Sequence, residues 1–142
     1  MVLFSGFIPA ANAQLGIVIA EKDEVVRLSD NFLTLSEESG VLSIDDAIEM
    51  RREFRWAGIQ NLNFGFSESG LWLLSKFTHQ TDNTEWVIDL NFSQLDRVDF
   101  YLVVDGEVVA AEQQGKFSEL QNFRIPVFEI ELQAAKPADL YI

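Results

Sequence analysis

The chain has 142 residues, a length that fits one domain with a core of its own. It contains no cysteine, which excludes disulfides, thiolate zinc sites and thiol nucleophiles. The formal net charge of −13 and the pI of about 4.2 argue against binding to phosphate backbones or anionic lipid headgroups, and solubility is the simplest reason for so acidic a chain.

The first residues have features of an export signal. Val2–Ile8 is apolar, and Ala11–Ala13 fits the small-x-small rule of signal peptidase, with Gln14 as the mature N-terminus. The stretch departs from a complete signal peptide because it has no positive charge, and an apolar strand is the alternative interpretation. No run approaches the ~20 apolar residues of a membrane helix. We therefore expect residues 1–13 to be a signal-peptide remnant on an exported chain.

One short helix is predicted early in the domain. Val25–Leu35 is rich in β-forming residues, and Glu37–Gly40 is a turn. Ser43 is a good N-cap, two acids follow it in the first turn, and apolar residues then recur at helical spacing. The sequence therefore predicts a helix over about Ile44–Arg52.

The rest of the chain alternates as strands do. The alternation predicts two core faces, which are Trp86, Ile88, Leu90 and Phe92 on one strand and Val98, Phe100, Leu102 and Val104 on the next. Asp105-Gly106 predicts a tight hairpin that returns into Val108–Ala111. Further strands are predicted at about 70–79, 128–132 and 139–142.

Seven or eight short strands, one hairpin and one small helix predict a mainly β fold, an antiparallel β-sandwich. No internal repeat, low-complexity segment or linker interrupts the pattern. Residues 26–142 are therefore predicted to form a single domain, which follows an N-terminal lead-in over residues 14–25.

The chain carries little of what enzyme chemistry needs. His79 is its only histidine, and a lone histidine at a strand end is expected to be a surface or packing residue. No Walker loop or G-x-G-x-x-G motif is present. Glu129 and Glu131 share a strand face by alternation alone, so we interpret them as solvated acids and not as a glycosidase pair. We expect no catalytic residue, no metal site and no cofactor.

An ordered set of short motifs carries a family resemblance. Residues 40–47 read Gly-Val-Leu-Ser-Ile-Asp-Asp-Ala, and residues 70–73 read Gly-Leu-Trp-Leu. Residues 95–101 read Leu-Asp-Arg-Val-Asp-Phe-Tyr, and the Asp105-Gly106 hairpin follows them. Over residues 26–142 this set resembles the type-two extracellular domain of bacterial seven-transmembrane receptors with diverse intracellular signalling modules.

The resemblance implies a jelly-roll-like sandwich similar to carbohydrate-binding modules. It implies a periplasmic sensor domain, tethered to the inner membrane in the full-length receptor, that controls a cytoplasmic two-component, cyclic-di-GMP or other output module. The partners it implies are a glycan or small-molecule ligand and the covalently attached membrane helices. A homodimer is a further candidate assembly, and no nucleic acid is expected.

The candidate ligand-binding residues are chosen because sugars bind flat aromatic faces flanked by hydrogen-bonding side chains. The candidates are aromatic and polar side chains that lie off the predicted core faces or in irregular segments. They are Tyr101, Arg97, Asp99, Arg124, Lys76 and Trp56. The alternative is that Tyr101 is a packed rim residue and that the arginines only form ion pairs within an acidic chain. Trp72 and Trp86 are expected in the core.

Two other functions stay open at this point. A protein-interaction or dimerisation sandwich without a small ligand would be favoured by an exposed apolar surface on Val108–Ala111 or Phe123–Val127. Glycoside hydrolysis is a third and more distant hypothesis.

Overall fold

The fold is taken from a computed structural model, which describes residues 16–20, 31–38, 41–56, 70–90, 95–115 and 126–142. The predicted signal-peptide remnant and most of the lead-in lie outside these residues. The described residues include nine strands, one α-helix and a 3-10 turn that directly follows the helix. The strands are β1 (Ile17–Ile19), β2 (Leu33–Glu37), β3 (Arg55–Trp56), β4 (Gly70–His79), β5 (Glu85–Asp89), β6 (Val98–Val104), β7 (Glu107–Gln114), β8 (Val127–Glu131) and β9 (Ala138–Tyr141).

The mainly β sandwich predicted from the sequence is confirmed. A seven-stranded sheet has the order β3-β2-β4-β9-β6-β7, with β1 beside β4, and β5 pairs with β8 in a second, two-stranded sheet. All pairs are antiparallel except β1 with β4, which is parallel. The last strand, β9, lies in the middle of the large sheet.

The two sheets pack face to face through the larger apolar core. Phe77, Phe100, Leu102 and Leu140 of the large sheet meet Ile88, Phe128 and Ile130 of the small one, all nearly fully buried. Phe100 and Phe128 stack with ring centroids 4.4 Å apart. We call this side of the large sheet the sandwich face.

The other side of the large sheet is covered by the helix. Helix α1 (Ile44–Glu49) and the following 3-10 turn (Met50–Glu53) place Ala47 and Phe54 against Leu74, Val103 and Tyr141. We call this side the helix face. Val103, which the alternation places on the side of β6 opposite the predicted core residues, is buried because the helix covers it.

The predicted helix start is confirmed. Ser43 Oγ accepts a hydrogen bond from the Asp46 amide at 3.2 Å, and Asp46 Oδ2 accepts one from the Ser43 amide at 2.9 Å, which is a complete capping box. The α-helix ends at Glu49, three residues before the predicted end, because Met50–Glu53 tightens into a 3-10 turn.

The predicted Asp105-Gly106 hairpin joins β6 to β7. Both turn residues have positive φ, 53° and 82°, as a type I′ turn requires. Leu102 pairs with Ala110 and Val103 pairs with Val108, so Val109 is an extra residue, a β-bulge in β7. The bulge shifts the register of the hairpin by one residue beyond this point.

Candidate functional site

The helix face is built on one row of cross-strand partners. Trp56 pairs with Leu33, Leu33 with Leu74, Leu74 with Tyr141, and Tyr141 with Tyr101. The helix and its 3-10 turn cover the middle of the row, where Phe54 meets the Tyr141 ring edge-on at 6.0 Å. Of the aromatic residues in this row, Trp56 and Tyr101, at its two ends as given, have side chains that reach solvent.

Tyr101 and Trp72 form an aromatic pair at one end of the row. Their rings stack at 6.0 Å between centroids with 28° between planes, and both side chains are half-buried. Burial raises the pKa of the Tyr101 hydroxyl above its ordinary value, the Asp99 charge adds to this, and Arg97 opposes it. Tyr101 therefore stays neutral and offers both an aromatic surface and a hydroxyl.

Asp99 organises the polar side chains beside this aromatic pair. Arg97 Nη2 lies 2.7 Å from Asp99 Oδ2, Arg97 Nε donates to Oδ1 at 3.2 Å, and Gln113 Nε2 donates to Oδ1 at 2.6 Å. The hydrogen bond to Asp99 raises the pKa of Arg97 further. The Arg97 side chain is 70% exposed and that of Asp99 27%, so the pair fixes geometry more than it stabilises the fold.

Gly115, directly after β7, lies against the backbone of Asp96 and Arg97, directly before β6. It has φ +132°, and a Cβ added there would lie 2.5 Å from the Asp96 carbonyl oxygen and 2.7 Å from Arg97 Cα. Only glycine allows this close approach of the end of β7 to the start of β6. The position of Arg97 is therefore set by the backbone as well as by its ion pair.

Lys76 lies on the helix face but away from Tyr101. It pairs with Asp139, which pairs with Val103, and this register puts Lys76 roughly 12 Å from Tyr101. Asp139 instead binds Arg51 of the 3-10 turn, which donates from Nη1 to Oδ2 and from Nη2 to Oδ1, the latter at 3.0 Å. This partly buried pair ties the 3-10 turn to the central strand.

Trp56 occupies the opposite end of the row. It is 60% exposed on β3, the last strand on its side of the described sheet, and four strand spacings separate it from Tyr101, roughly 19 Å. Tyr101, Arg97 and Asp99 are thus brought together, whereas Lys76 and Trp56 are not part of the same cluster. Arg124 lies outside the described residues.

Sequence reasoning did not assign two members of the cluster. Trp72 was expected in the core, and it packs against the helix-side core with only part of its ring buried. Gln113 carried no sequence signal, because a hairpin without a bulge would pair Asp99 with Glu112, whereas the bulge at Val109 brings Gln113 to Asp99. Like charges directly opposite one another are unfavourable, and the bulge avoids that pairing.

His79 is a packing residue, as expected. It is fully buried, its Nε2 lies 2.6 Å from the Leu132 carbonyl oxygen, and its ring contacts Trp86 with 5.2 Å between centroids. Within the described ranges, no group of three or more His, Asp or Glu residues is placed to hold a metal ion. No helix in the same ranges is long and apolar enough to cross a membrane.

Comparison with known proteins gives one family. The model of the family described as 7TMR-DISM extracellular 2 matches residues 29–142. None of the curated proteins matches the chain. The family match covers most of the chain and agrees with the resemblance carried by the helix-start, tryptophan-strand and tyrosine-strand motifs. The chain belongs to the 7TMR-DISM extracellular 2 family, and it is an extracellular sensor domain of a transmembrane receptor.

Proposed function

We propose that this domain binds a glycan or another small solute at the Trp72–Tyr101 pair and relays binding to the membrane helices of its receptor. The observation that carries the proposal is the stacked, half-buried aromatic pair with Arg97, Asp99 and Gln113 beside it. Family membership supports sensing as the role, and the side chains of this cluster support the class of ligand.

The chemistry of the cluster suits a polyhydroxylated ligand. A sugar ring presents C–H groups to an aromatic surface and hydroxyl groups at its rim. Tyr101 and Trp72 supply the surface, and the exposed guanidinium of Arg97 supplies donors. Because Asp99 already holds Arg97 in place, less side-chain freedom is lost on binding.

Signalling then requires that the ligand bind two receptor states with different affinity. Strand β9 is paired on both sides, with β4 and with β6, and Tyr141 within it is fully buried. Such a strand cannot leave the sheet without loss of the core. The ligand is therefore proposed to change the orientation or pairing of the whole domain, and its internal fold stays the same.

A binding role is proposed in preference to an enzymatic one. The single histidine of the chain, His79, is fully buried against Leu132 and Trp86, and so is out of reach of a substrate. Asp99, the carboxylate beside Tyr101 on β6, is held by hydrogen bonds from Arg97 and Gln113. Absence of turnover on a panel of chromogenic glycosides is the expected result.

The test is a titration of defined glycans and small metabolites into four folded proteins: the wild type, Tyr101→Ala, Asp99→Asn and Val87→Ala. Val87 is the control because it is 64% exposed on the outer side of the small sheet. We expect at least one glycan to bind, with about tenfold loss or more in Tyr101→Ala, a smaller loss in Asp99→Asn and none in Val87→Ala. Equal affinity of the wild type and Tyr101→Ala for the ligand would contradict the assignment of the binding site to the Trp72–Tyr101 pair.

A second candidate function rests on an apolar surface of β7. Val108 is 40% exposed and Val109 56%, next to each other on a strand that ends the described sheet order. Such a surface suits contact with a second copy or with a partner receptor. Sedimentation of the wild type and of Val109→Asp distinguishes this role, since a monomer at high concentration in both counts against it.

A further inference from the structure

Strand β1 lies upstream of the family match but within the sheet. Residues 29–142 match the family, whereas β1 is Ile17–Ile19. Its residues pair in parallel with the end of β4, Ile17 with Phe77 and Ile19 with His79, and the Gln80 amide donates to the Ile19 carbonyl at 2.9 Å. The sheet therefore includes a segment that the family boundaries leave out.

The place that β1 occupies is created by the unequal lengths of β2 and β4. Pairing between β2 and β4 runs from Gly70 to Leu74 and stops there. Phe77 pairs with Ala138 of β9 on one side and with Ile17 on the other, so β1 follows β2 along the same side of β4. Without β1, the stretch from Phe77 to His79 would present an open strand edge within the described part of the chain.

The side chains of β1 alternate as those of an integral strand do. Ile19 is 5% exposed in the larger core, Ile17 packs against that core, and Val18 points outward and is 55% exposed. Phe77, the partner of Ile17, is 2% exposed in the same core. The contact thus combines backbone pairing with burial of two isoleucines, which is the recognition chemistry of strand addition.

We infer that the Phe77–His79 side of β4 is a strand-acceptor site and that residues 16–20 of this chain are its occupant. The folding unit of the sensor then includes residues 16–20, which lie ahead of the region that the family model matches. The acceptor site is separate from the proposed ligand site at the Trp72–Tyr101 pair, although both involve strand β4. It fixes the N-terminal segment of the chain to the body of the domain.

The first experiment uses two variants of the 142-residue chain. One alters the buried side of β1 and the other alters its exposed side. Ile19→Ala is expected to lower Tm by about 5 °C or more and to speed hydrogen exchange of the Gln80 amide about tenfold. Val18→Ala, the matched control, is expected to shift Tm by no more than about 1–2 °C. Equal shifts in the two variants, or an unchanged Gln80 amide in Ile19→Ala, would overturn the inference.

The second experiment asks whether the site accepts the strand in trans. A labelled peptide with the sequence of residues 14–20 is titrated into the Ile19→Asp variant of the 142-residue chain, in which the charge disfavours docking of the chain's own β1. We expect the peptide to bind this variant and not the wild type, whose site is filled, and a peptide that carries Ile19→Asp to bind neither. Binding of the peptide to both proteins alike, or to neither, would contradict an acceptor site. If Ile19→Asp does not fold, the comparison of Ile19→Ala with Val18→Ala decides.

Discussion

The two faces of the large sheet differ in what covers them and in how polar that cover is. The sandwich face meets a second sheet through apolar side chains such as Phe100 and Phe128. The helix face meets one short helix and a 3-10 turn, and it includes an ion pair between Arg51 and Asp139. Both faces bury a core, and among the described residues the helix face places two half-buried, stacked aromatic rings, Trp72 and Tyr101, beside the charged pair of Arg97 and Asp99.

Under the proposed function, this difference separates the residues that stabilise the fold from those that bind the ligand. A sheet-on-sheet contact buries the inner surfaces of both sheets and so keeps them out of reach of a ligand. A cover as short as α1 spans only the middle of the helix face, so Trp72, Tyr101 and Trp56 stay partly or largely exposed. We therefore expect substitutions on the sandwich face to act on folding and those at the rim of the helix face to act on binding.

The largest effect is expected at the centre of the sandwich face. Phe100→Ala removes a ring that is 2% exposed and stacked on Phe128, and it should cost about 3–5 kcal/mol of unfolding free energy, measured by denaturant titration. Val109→Ala in the same hairpin is the control and should stay within about 0.5 kcal/mol. A loss below about 1 kcal/mol for Phe100→Ala would mean that this face is not the main core.

The second-largest effect on stability is expected from the ion pair between Arg51 and Asp139, which joins the 3-10 turn to β9 on the helix face. Arg51 and Asp139 side chains are 35% and 17% exposed, so a double-mutant cycle with alanine at both should give a coupling energy of about 1–2 kcal/mol. The same cycle on the more exposed Arg97 and Asp99 should give less than about 1 kcal/mol. Equal coupling in the two cycles would show that burial of the Arg51 pair has no consequence.

A smaller effect is expected at the start of the helix. Ser43→Ala removes the N-cap acceptor of the capping box and should cost about 1 kcal/mol in unfolding free energy, because the Asp46 amide loses its partner. Ser36→Ala, at an exposed position of β2, is the matched control and should change stability by less than about 0.5 kcal/mol. An equal loss in both would contradict the cap.

The same cap gives a pH dependence. Hydrogen bonds from Ser43 hold the pKa of Asp46 below its ordinary value of 3.8. The folded form thus binds this proton less readily than the unfolded form, so the contribution of Asp46 is present above the ordinary pKa and is lost as pH falls through the lowered one. The wild type should therefore be more stable than Asp46→Asn near neutral pH, and the difference in unfolding free energy between the two should shrink as the pH is lowered. A difference that does not change with pH would contradict this account.

The smallest effect is expected at a polar exception within the sandwich face. Ser75 is fully buried next to Leu140 in the cross-strand register, and its hydroxyl has no hydrogen-bond partner within the described ranges. Ser75→Ala should therefore leave the unfolding free energy unchanged or raise it by up to about 1 kcal/mol. A loss above about 2 kcal/mol would indicate that the hydroxyl has a partner.

The sequence predicted the features that depend on local chemistry. Ser43 and Asp46 form the expected capping box, and Asp105-Gly106 forms the expected hairpin. Val98, Phe100 and Leu102 are buried on one face as their alternation indicates. Each of these depends on residues within a few positions of one another, which is why a pattern in the chain was enough.

The features that the sequence did not predict depend on contacts between distant segments. Strand β1 is only three residues long, and its place on β4 exists because β2 stops short. Val103 is buried by a helix that lies far upstream, and Gln113 reaches Asp99 because of the bulge at Val109. No local pattern carries this information, so the members of the ligand cluster could be named only in part.

Hydrogen exchange, measured with and without the glycan that binds best, tests most directly whether recognition belongs to the helix face. The account predicts slower exchange in β6 around Asp99 and Tyr101 and in β4 around Trp72, with the amides of β5 and β8 unchanged. Protection confined to β5 and β8, or to the exposed valines of β7, would place the ligand elsewhere and contradict the division between the two faces.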